Sequence, residues 1–300
     1  MTAIWTTAAW RSEVLDWVDA QGHRPRGEVT QPRLAPWSTA LRIPTCEGVV
    51  WLKAGAPGCA FEAALVPCLA AYDAPHLLRP LAADADRGWL LLPDGGPTLR
   101  ETHPTLIDWE RALTGYAALQ RAVEGKPLTG AEDLRPERLP ALFDHLLDSV
   151  HVESLDELRA LQPKVASWCD ELATSGLVAT LQHDDLHDAN IFADGTIFDF
   201  GDACLATPFS TLLVTQRVAA QAFALSPGGP ELVRLRDAYL EAWTDTFSRA
   251  ELELLALFAC RVGKVARARA WQRALTGVEA PEHAEAVAGW LEELLEEDVF

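Results

Sequence analysis

Residues 181–192, LQHDDLHDANIF, concentrate two histidines, three aspartates and an asparagine between apolar neighbours. Two kinds of chemistry need such a set. His183 and His187 lie four residues apart, as do the histidines in the H-E-x-x-H pattern of zinc proteases. Alternatively, the carboxylate of Asp185 and the carboxamide of Asn190 supply oxygen groups that phosphoryl transfer requires. The secondary structure around the motif decides between these two interpretations.

A zinc site of that kind needs both imidazoles on one face of a continuous helix. The strand-like run 177–182 enters the motif and the strand-like run 191–193 leaves it, with eight residues between them. No helical apolar periodicity flanks the histidines. The sequence therefore disfavours a zinc hydrolase, and we expect His183 and His187 to brace the loop through hydrogen bonds.

Phosphoryl transfer needs a carboxylate that orients the attacking hydroxyl and accepts its proton, together with oxygen ligands for Mg²⁺. Asp185 and Asn190 are five positions apart, and Asp199 follows in FDFGD. The Asp194-Gly195 pair between the apolar runs 191–193 and 196–198 predicts a hairpin that ends near Asp199. The spacing thus supplies two carboxylates and one carboxamide for such a site.

The run HDDLHDAN followed by FDFGD resembles the catalytic loop and magnesium-binding segment of the aminoglycoside phosphotransferase and small-molecule kinase family, relatives of the protein kinases. The resemblance implies that Asp185 is the catalytic aspartate, that Asn190 and Asp199 bind Mg²⁺, and that ATP is the phosphoryl donor. The family usually has glycine in place of Asp184, and Pro-Gly is common in place of Asp188-Ala189. We expect these two extra negative charges at the lip of the site.

The resemblance extends to the first part of the chain. Lys53 closes the run VVWLK, where the family places the lysine that contacts the nucleotide phosphates. Glu62 follows nine residues later in a helical pattern and is its expected partner, although Glu47 also lies nearby. WLLLPDGG resembles the hinge segment, so the backbone around Leu91 to Pro93 is expected to hold the adenine edge.

The connection between the first two predicted strands, LAPWSTA, contains no glycine, unlike the glycine-rich loop that covers the phosphates in protein kinases. Ser38 and nearby backbone amides are the candidates for this role. Asp202 either supports the site from behind or ties down the segment after Asp199. Most of the eleven tryptophans fit core positions, whereas Trp37 and Trp271 are candidates for lining a pocket.

Two sets of elements must position these residues. An amphipathic helix (8–20) precedes three short β-type runs, a helix around Glu62 and a fourth strand (89–92). Helical patterns dominate after the turn PDGG, and one of them opens with a predicted capping box, Ser154 with Glu157.

Together with the resemblance, this order predicts an α+β, protein-kinase-like two-lobe fold with a small antiparallel-sheet N-lobe and a mainly helical C-lobe. The expected divisions are a nucleotide-binding lobe (1–93), a hinge (94–97) and a helical lobe with the catalytic loop and substrate pocket (98–300).

The composition limits which kinds of molecule the protein is expected to bind. The chain has 300 residues, of which 49% are hydrophobic and 23% charged, a composition typical of globular proteins. It has no apolar run of the ~18 residues that a membrane span needs. The first residues do not form a signal peptide, and six scattered cysteines suggest reduced thiols, so we expect a cytoplasmic protein. A net charge of −19 disfavours nucleic acid and suits a cationic substrate, although composition alone favours the simpler explanation, a surface kept soluble by carboxylates.

Substrate recognition in this family generally falls to the second lobe, where acidic groups meet the ammonium groups of aminoglycosides. This chain ends in LEELLEEDVF, so Glu297 and the terminal carboxylate of Phe300 join Asp184 and Asp188 as substrate candidates. A solvated C-terminal helix is the alternative.

The sequence thus predicts an ATP- and Mg²⁺-dependent phosphotransferase acting on a hydroxyl of a small, cationic molecule, foremost an amino sugar or aminoglycoside. Choline, homoserine, fructosamine and neutral sugars remain alternative acceptors, because kinases for such metabolites share the motif. The rivals from other classes are the zinc hydrolase and a nucleotide-binding pseudokinase. The pseudokinase is disfavoured because no catalytic position is missing.

Overall fold

Five antiparallel strands form the N-terminal sheet of the computed structural model, which describes residues 2–296. Their spatial order is β1-β2-β3-β5-β4. The strands are β1 (Thr30–Leu34), β2 (Ser38–Pro44), β3 (Val49–Gly55), β4 (Ala82–Asp84) and β5 (Trp89–Pro93). The sequence pattern predicts all of them except β4, whose three residues form a short edge strand only because they pair with β5.

One row of residues runs across three of these strands. Arg33 on β1 lies opposite Ala40 on β2, and Ala40 lies opposite Lys53 on β3. Residues directly opposite one another in antiparallel strands point to the same face of the sheet. Arg33 and Lys53 therefore share one face, with only the small Ala40 between them.

The other face of the sheet is covered by helix α2 (Ala8–Ala20), which follows the short α1 (Thr2–Trp5). Trp10, Val14 and Val18 of α2 are buried at helical spacing and pack in one cluster with residues of β2, β3 and β5. This contact confirms the predicted amphipathic helix, since its apolar stripe is what the sheet buries.

Helices form most of the chain beyond β5. After α3 (Glu62–Ala71) come α4 (Leu106–Val123), α5 (Leu139–Ser149), α6 (Leu155–Ala160), α7 (Gln162–Thr174), α8 (Thr211–Phe223), α9 (Pro230–Leu240), α10 (Arg249–Ala274) and α11 (Ala286–Glu292). Short 3-10 turns occupy Arg100–Thr102, Pro136–Arg138, Glu241–Trp243, Pro281–His283 and Glu293–Leu295. A single core cluster joins these helices to α3 and β5. None of the helices between residues 2 and 296 is long and apolar enough to cross a membrane.

The predicted capping box at Ser154 is wrong. The Ser154 side chain makes no capping hydrogen bond, and the helical segment that follows it divides into α6 and α7 at Leu161. Pro163 explains the break, because it lacks the N–H that would continue the hydrogen-bond ladder of α6. Capping boxes begin α4 and α10 instead.

A second, three-stranded sheet leads into the polar motif. It contains β6 (Glu132–Asp133), β7 (Thr180–Gln182) and β8 (Cys204–Ala206) in the order β6-β8-β7. The predicted hairpin after the motif forms as a tight turn, in which the N–H of Thr196 donates to Oδ1 of Asp194 over 2.9 Å. Its two sides are joined by an isolated bridge between Ile191 and Ile197 rather than by regular strands. The α+β class that the sequence predicts is confirmed.

The sheet and the helical part also meet at α10. A Cβ atom at Gly58, just after β3, would overlap the carbonyl oxygen of Arg273 in α10. The ring of Trp37, in the β1–β2 connection, contacts that of Trp271 with centroids 5.3 Å apart. These contacts bring α10 against the cleft between the two parts of the chain.

Candidate active site

Strand β7 leads directly into a loop that its own polar groups hold in shape. Nδ2 of Asn190 donates to the carbonyl oxygen of Asp185 over 2.9 Å. The N–H of Asn190 donates to the carbonyl of His187 over 2.9 Å, and the N–H of Ala189 donates to Nδ1 of His187 over 3.1 Å. The prediction that HDDLHDAN is a loop and not a helix is confirmed.

The two histidines face different partners. His183 is fully buried, and its Nε2 lies 2.8 Å from the carbonyl oxygen of Phe198. Burial lowers the pKa of His183 and favours the neutral ring. Nε2 of His187 lies 3.5 Å from Oδ2 of Asp185. Across residues 2–296, no three His, Cys, Asp or Glu side chains are arranged to hold a metal ion.

Both carboxylate oxygens of Asp185 have partners. Oδ1 lies 3.4 Å from a guanidinium nitrogen of Arg267, and Oδ2 lies 3.4 Å from Nδ2 of Asn190 and 3.5 Å from His187. Burial would raise the pKa of Asp185, but the hydrogen bond from His187 and the charge of Arg267 lower it below its ordinary value. The carboxylate is thus ionised and oriented from two sides.

Arg267 comes from α10, and the sequence pattern did not single it out. Its guanidinium bridges Asp185 and Asp202, the latter at 3.2 Å, and only 5% of the residue is exposed. The guanidinium also lies 5.3 Å from the ring centre of Trp290 in α11. Arg267 therefore links Asp202 to Asp185 of the catalytic loop, and Trp290 links α11 to Arg267.

Lys53 lies between two carboxylates at the end of β3. Its Nζ is 2.5 Å from Oε2 of Glu62 and 2.6 Å from Oδ1 of Asp199. Burial alone would lower the pKa of Lys53, but the charges of Asp199 and Glu62 raise it above its ordinary value. Glu62 is fixed in turn, because its Oε1 accepts the N–H of Phe200 over 2.8 Å. Glu62, and not Glu47, is the residue placed against Lys53.

Asn190 and Asp199 fit the chemistry of a divalent metal site. Nδ2 of Asn190 is used within the loop, which leaves its Oδ1 as the potential ligand atom. Oδ1 of Asp199 pairs with Lys53, which leaves Oδ2. Burial alone would raise the pKa of Asp199, but Lys53 lowers it to about 2, so the carboxylate is ionised. Mg²⁺ takes few protein oxygens when it also binds nucleotide phosphates and water.

A cavity of about 570 Å³ opens between the sheet and the helical part, within the usual size range of nucleotide and cofactor pockets. Ser38, Lys53, Pro93 and Asp199 are among its lining residues. Leu91 is not among the residues that line this cavity. Its side chain is fully buried in the cluster beneath the sheet, and its carbonyl accepts the N–H of Leu81 over 2.8 Å.

A second cavity, of about 140 Å³, lies in front of Asp185. Trp37, Trp271 and Asp202 line it together with Arg267, so the two tryptophans do face a pocket. Cys59 lines it as well, but burial raises the pKa of this thiol to about 12, which keeps the thiol protonated.

Four residues line both cavities, and they mark the place where the two cavities meet: Arg33, Ser38, Lys53 and Asp199. Asn190 lines neither cavity.

Asp184 does not lie at the lip of the site, which corrects the expected position. It is 2% exposed, and its Oδ2 has no hydrogen-bond partner within residues 2–296. Burial raises its pKa to about 7. Its φ of +67° lies in the left-handed region, which favours glycine, the residue usual at this position in the resembling family.

Asp188 is also absent from both cavities. It is 5% exposed, and its Oδ1 accepts hydrogen bonds from Nε of Arg100 at 3.0 Å and from a terminal guanidinium nitrogen at 2.7 Å. The expectation of a free charge at the lip is therefore wrong for Asp188 too, because Arg100 neutralises it.

The remaining substrate candidates, Glu297 and Phe300, lie outside the described residues. The acidic segment before them is tied to the helical part. Glu293 forms an ion pair with Arg217, and Oε1 of Glu292 accepts the N–H of Glu153 over 2.8 Å.

This chain belongs to the phosphotransferase enzyme family. The model of that family, APH, matches residues 49–258, which include Lys53 and the whole polar motif. The chain is therefore a small-molecule phosphotransferase of the kind that the resemblance implied. A search of curated proteins finds no match.

Several solved structures share the fold. The choline kinase LicA from Streptococcus pneumoniae is 11% identical with a TM-score of 0.65 and covers 96% of this chain and 99% of that one. Amicoumacin kinase hAmiN, in complex with AMP-PNP, Ca²⁺ and Ami, is 11% identical with a TM-score of 0.62, covering 96% and 94%. An aminoglycoside phosphotransferase from Streptomyces rimosus, in complex with ADP and streptomycin, is 15% identical with a TM-score of 0.53, covering 84% and 97%. These likenesses confirm the protein-kinase-like two-lobe fold.

Proposed function

We propose that this chain transfers the γ-phosphoryl group of ATP, with Mg²⁺, to a hydroxyl group of a small molecule. One observation carries the proposal. A cavity of nucleotide size meets a smaller cavity at Lys53 and Asp199, and Asp185 lines the smaller one. A donor in the first cavity and an acceptor in the second would place the transferred group between them.

Each polar residue then has a separate role. Asp185 accepts the hydrogen bond of the acceptor hydroxyl, orients it towards the phosphate and takes its proton. Lys53, held by Glu62, binds the nucleotide phosphates, and Ser38 lies beside them. Asn190 and Asp199 would hold the Mg²⁺ ion, which neutralises charge on the phosphates.

The hinge and the lobe boundaries are part of this proposal. Residues 1–93 would form the nucleotide-binding lobe, 94–97 the hinge and 98–300 the acceptor-binding lobe. Pro93 lines the nucleotide cavity, and Oδ1 of Asp94 accepts a hydrogen bond from Nε1 of Trp51 over 3.3 Å. This bond gives the start of the hinge a fixed position against β3. We expect the backbone at Leu92 and Pro93 to contact the adenine edge.

For the acceptor we propose an amino sugar or an aminoglycoside. The smaller cavity combines the carboxylates of Asp185 and Asp202 with the rings of Trp37 and Trp271. Carboxylates and indole rings both attract an ammonium group. Two of the proteins that share the fold support this choice, since one is a choline kinase and another is an aminoglycoside phosphotransferase in complex with ADP and streptomycin.

A coupled ADP-release assay tests the proposal. Purified protein with ATP and Mg²⁺ is screened against aminoglycosides, amino sugars, choline, homoserine, fructosamine and neutral sugars. We expect acceptor-dependent ADP release with at least one amine, and a loss of about 10³-fold or more in the Asp185→Asn variant, as is typical when a central catalytic group is removed.

The outcomes separate the parts of the proposal. If a neutral sugar outperformed every amine, the cationic acceptor would be wrong and the kinase activity would stand. If no compound released ADP, while wild type and Asp185→Asn bound ATP equally, a nucleotide-binding pseudokinase would replace the kinase. A matching melting temperature of the Asp185→Asn variant shows that the substitution leaves the fold intact.

A further inference from the structure

The β1–β2 connection cannot grip phosphates in the way that a glycine-rich loop does. No glycine occurs between Gly27 and Gly48. Pro36 has no N–H, and the N–H of Ala35 already donates to the carbonyl of Ser38 over 2.8 Å. A backbone cradle needs both free amides and the close approach that glycine allows. The connection is thus short of free amides, and a side-chain cation would complete the cover of the phosphates that Ser38 begins.

Arg33 is the cation placed to supply it. It shares one sheet face with Lys53, and the small Ala40 between them leaves the space above the sheet open. Strands lie about 4.8 Å apart, so the two backbones are about 10 Å apart. Their long side chains can converge on one anion from two sides.

The guanidinium of Arg33, unlike the ammonium group of Lys53, has no carboxylate partner within residues 2–296 that would compete with a bound phosphate. Lys53 is already paired with Glu62 and Asp199. Arg33 is exposed, and among the described residues no carboxylate lies within ion-pair distance of its guanidinium. Its backbone is fixed, since Oγ1 of Thr39 donates to the carbonyl of Arg33 over 2.8 Å. The side chain thus extends from a rigid base, which reduces the entropy lost on binding.

The position of Arg33 indicates which phosphate it meets. Arg33 lines both the larger and the smaller cavity, together with Ser38, Lys53 and Asp199. A group at the meeting point contacts the phosphate that is transferred, not those that stay with the nucleoside. A guanidinium presents a planar fork of donors that matches two phosphate oxygens.

We propose that Arg33 binds the γ-phosphate of the nucleotide and stabilises its charge during transfer, in place of a glycine-rich loop. This inference rests on the proposed kinase function. A cation that contacts the transferred group binds more strongly as charge develops on its oxygens, so Arg33 contributes more to kcat than to nucleotide binding.

Binding measurements test this without knowledge of the acceptor. Calorimetric titrations with AMP-PNP and with ADP, both with Mg²⁺, compare wild type with Arg33→Ala, Arg33→Lys and the control Arg26→Ala. Arg26 is an exposed arginine before β1 that lines neither cavity. We expect Arg33→Ala to weaken AMP-PNP binding about tenfold or more and ADP binding less than twofold, because only AMP-PNP carries the third phosphate.

Turnover supplies the second readout. With an acceptor from the screen, or as slow ATP hydrolysis without one, we expect kcat to fall about 10²-fold in Arg33→Ala. Arg33→Lys should recover part of the loss, since it restores the charge but not the fork, and free guanidinium should partly rescue Arg33→Ala.

Equal losses for AMP-PNP and ADP, or an unchanged kcat, would overturn the role of Arg33. Wild-type protein that bound neither nucleotide would instead refute the proposed kinase function itself. Melting temperatures of the three variants show whether each remains folded, and the exposure of Arg33 makes unfolding by its replacement unexpected.

Discussion

Replacing Asp184 with asparagine is expected to stabilise the protein by an amount that grows with pH. The carboxyl group is 2% exposed, and burial raises its pKa to about 7 from an ordinary 3.8, although the charge of Arg267 partly offsets this. In the unfolded chain the group ionises near pH 3.8, whereas in the folded protein it keeps its proton up to about pH 7. The stability that this group contributes is therefore complete below pH 3.8 and is lost as the pH rises to about 7.

The size of the effect follows from the pKa difference. One pKa unit corresponds to about 1.4 kcal/mol, so the interval of roughly 3 units costs the folded state about 4 kcal/mol above pH 7. At pH 5 the cost is only about 1.5 kcal/mol. A carboxamide does not ionise, so the advantage of Asp184→Asn is expected to rise by about 3 kcal/mol from pH 5 to pH 8.

Two further variants separate charge from backbone strain. The φ of Asp184 is +67°. In this conformation a residue with a Cβ atom is strained by about 1 kcal/mol, whereas asparagine is strained less and glycine is not strained. Asp184→Ala removes the charge and keeps the strain, and Asp184→Gly removes both. From strain alone we expect the alanine variant to be about 1 kcal/mol less stable than the glycine variant at either pH. The greater unfolded-state entropy of glycine destabilises the glycine variant and reduces this difference.

Urea unfolding at pH 5 and pH 8, without nucleotide and followed by tryptophan fluorescence, measures these differences. Other titrating groups are common to all variants, so their contributions largely cancel in the comparison. An advantage of Asp184→Asn that is equal at both pH values would refute the burial argument. An alanine variant that is more stable than the glycine variant would refute the strain argument.

Three other outcomes are expected. Gly58→Ala should destabilise the protein by about 1–3 kcal/mol in urea unfolding, because the added Cβ would overlap a carbonyl oxygen of α10. The control Gly289→Ala, in a helix with open space around the glycine, should stabilise the protein by about 0.5–1 kcal/mol. The reverse order of stability would contradict this packing. Arg267→Gln should move the acidic limb of the kcat–pH profile to higher pH. Burial raises the pKa of Asp185, and the hydrogen bond from His187 and the charge of Arg267 lower it, so loss of the Arg267 charge raises it again. An acidic limb that stays in place would show that Arg267 does not have this role. EDTA should abolish ADP release and added Mg²⁺ restore it, and activity that survives chelation would exclude the metal dependence.

The parts of the site that the sequence predicts are those encoded within a short stretch. The loop conformation of HDDLHDAN follows from the strand-like runs on either side, with eight residues between them. The pair of Lys53 and Glu62 is expected from the family resemblance, in which a strand with a lysine near its end is followed by a helix that carries the partner glutamate. In both cases the neighbouring elements are consecutive, so local patterns fix which residues meet.

The parts that were missed depend on contacts between distant segments. Arg267 lies 82 residues beyond Asp185, and no local pattern specifies that α10 crosses the cleft. A basic residue among valines and alanines of a helix is still informative, since a buried cation needs a carboxylate partner. The sequence predicts the wrong position for Asp184 because polarity suggests exposure, whereas the residue is 2% exposed.

The charges of the cleft explain why the free arginine matters. Seven carboxylates and three cations of the described chain line or support the two cavities: Glu62, Asp94, Glu101, Asp184, Asp185, Asp199 and Asp202, with Arg33, Lys53 and Arg267. Even with Asp184 protonated, the carboxylates outnumber the cations. A nucleotide with several phosphates therefore enters a site that repels it, unless a divalent metal and an unpaired cation compensate. Lys53 is shared with Glu62 and Asp199, so the metal and Arg33 would supply the further positive charge that the donor needs. Arg267 is one cation between two carboxylates, Asp185 and Asp202, and the net negative charge that remains there favours a positively charged acceptor.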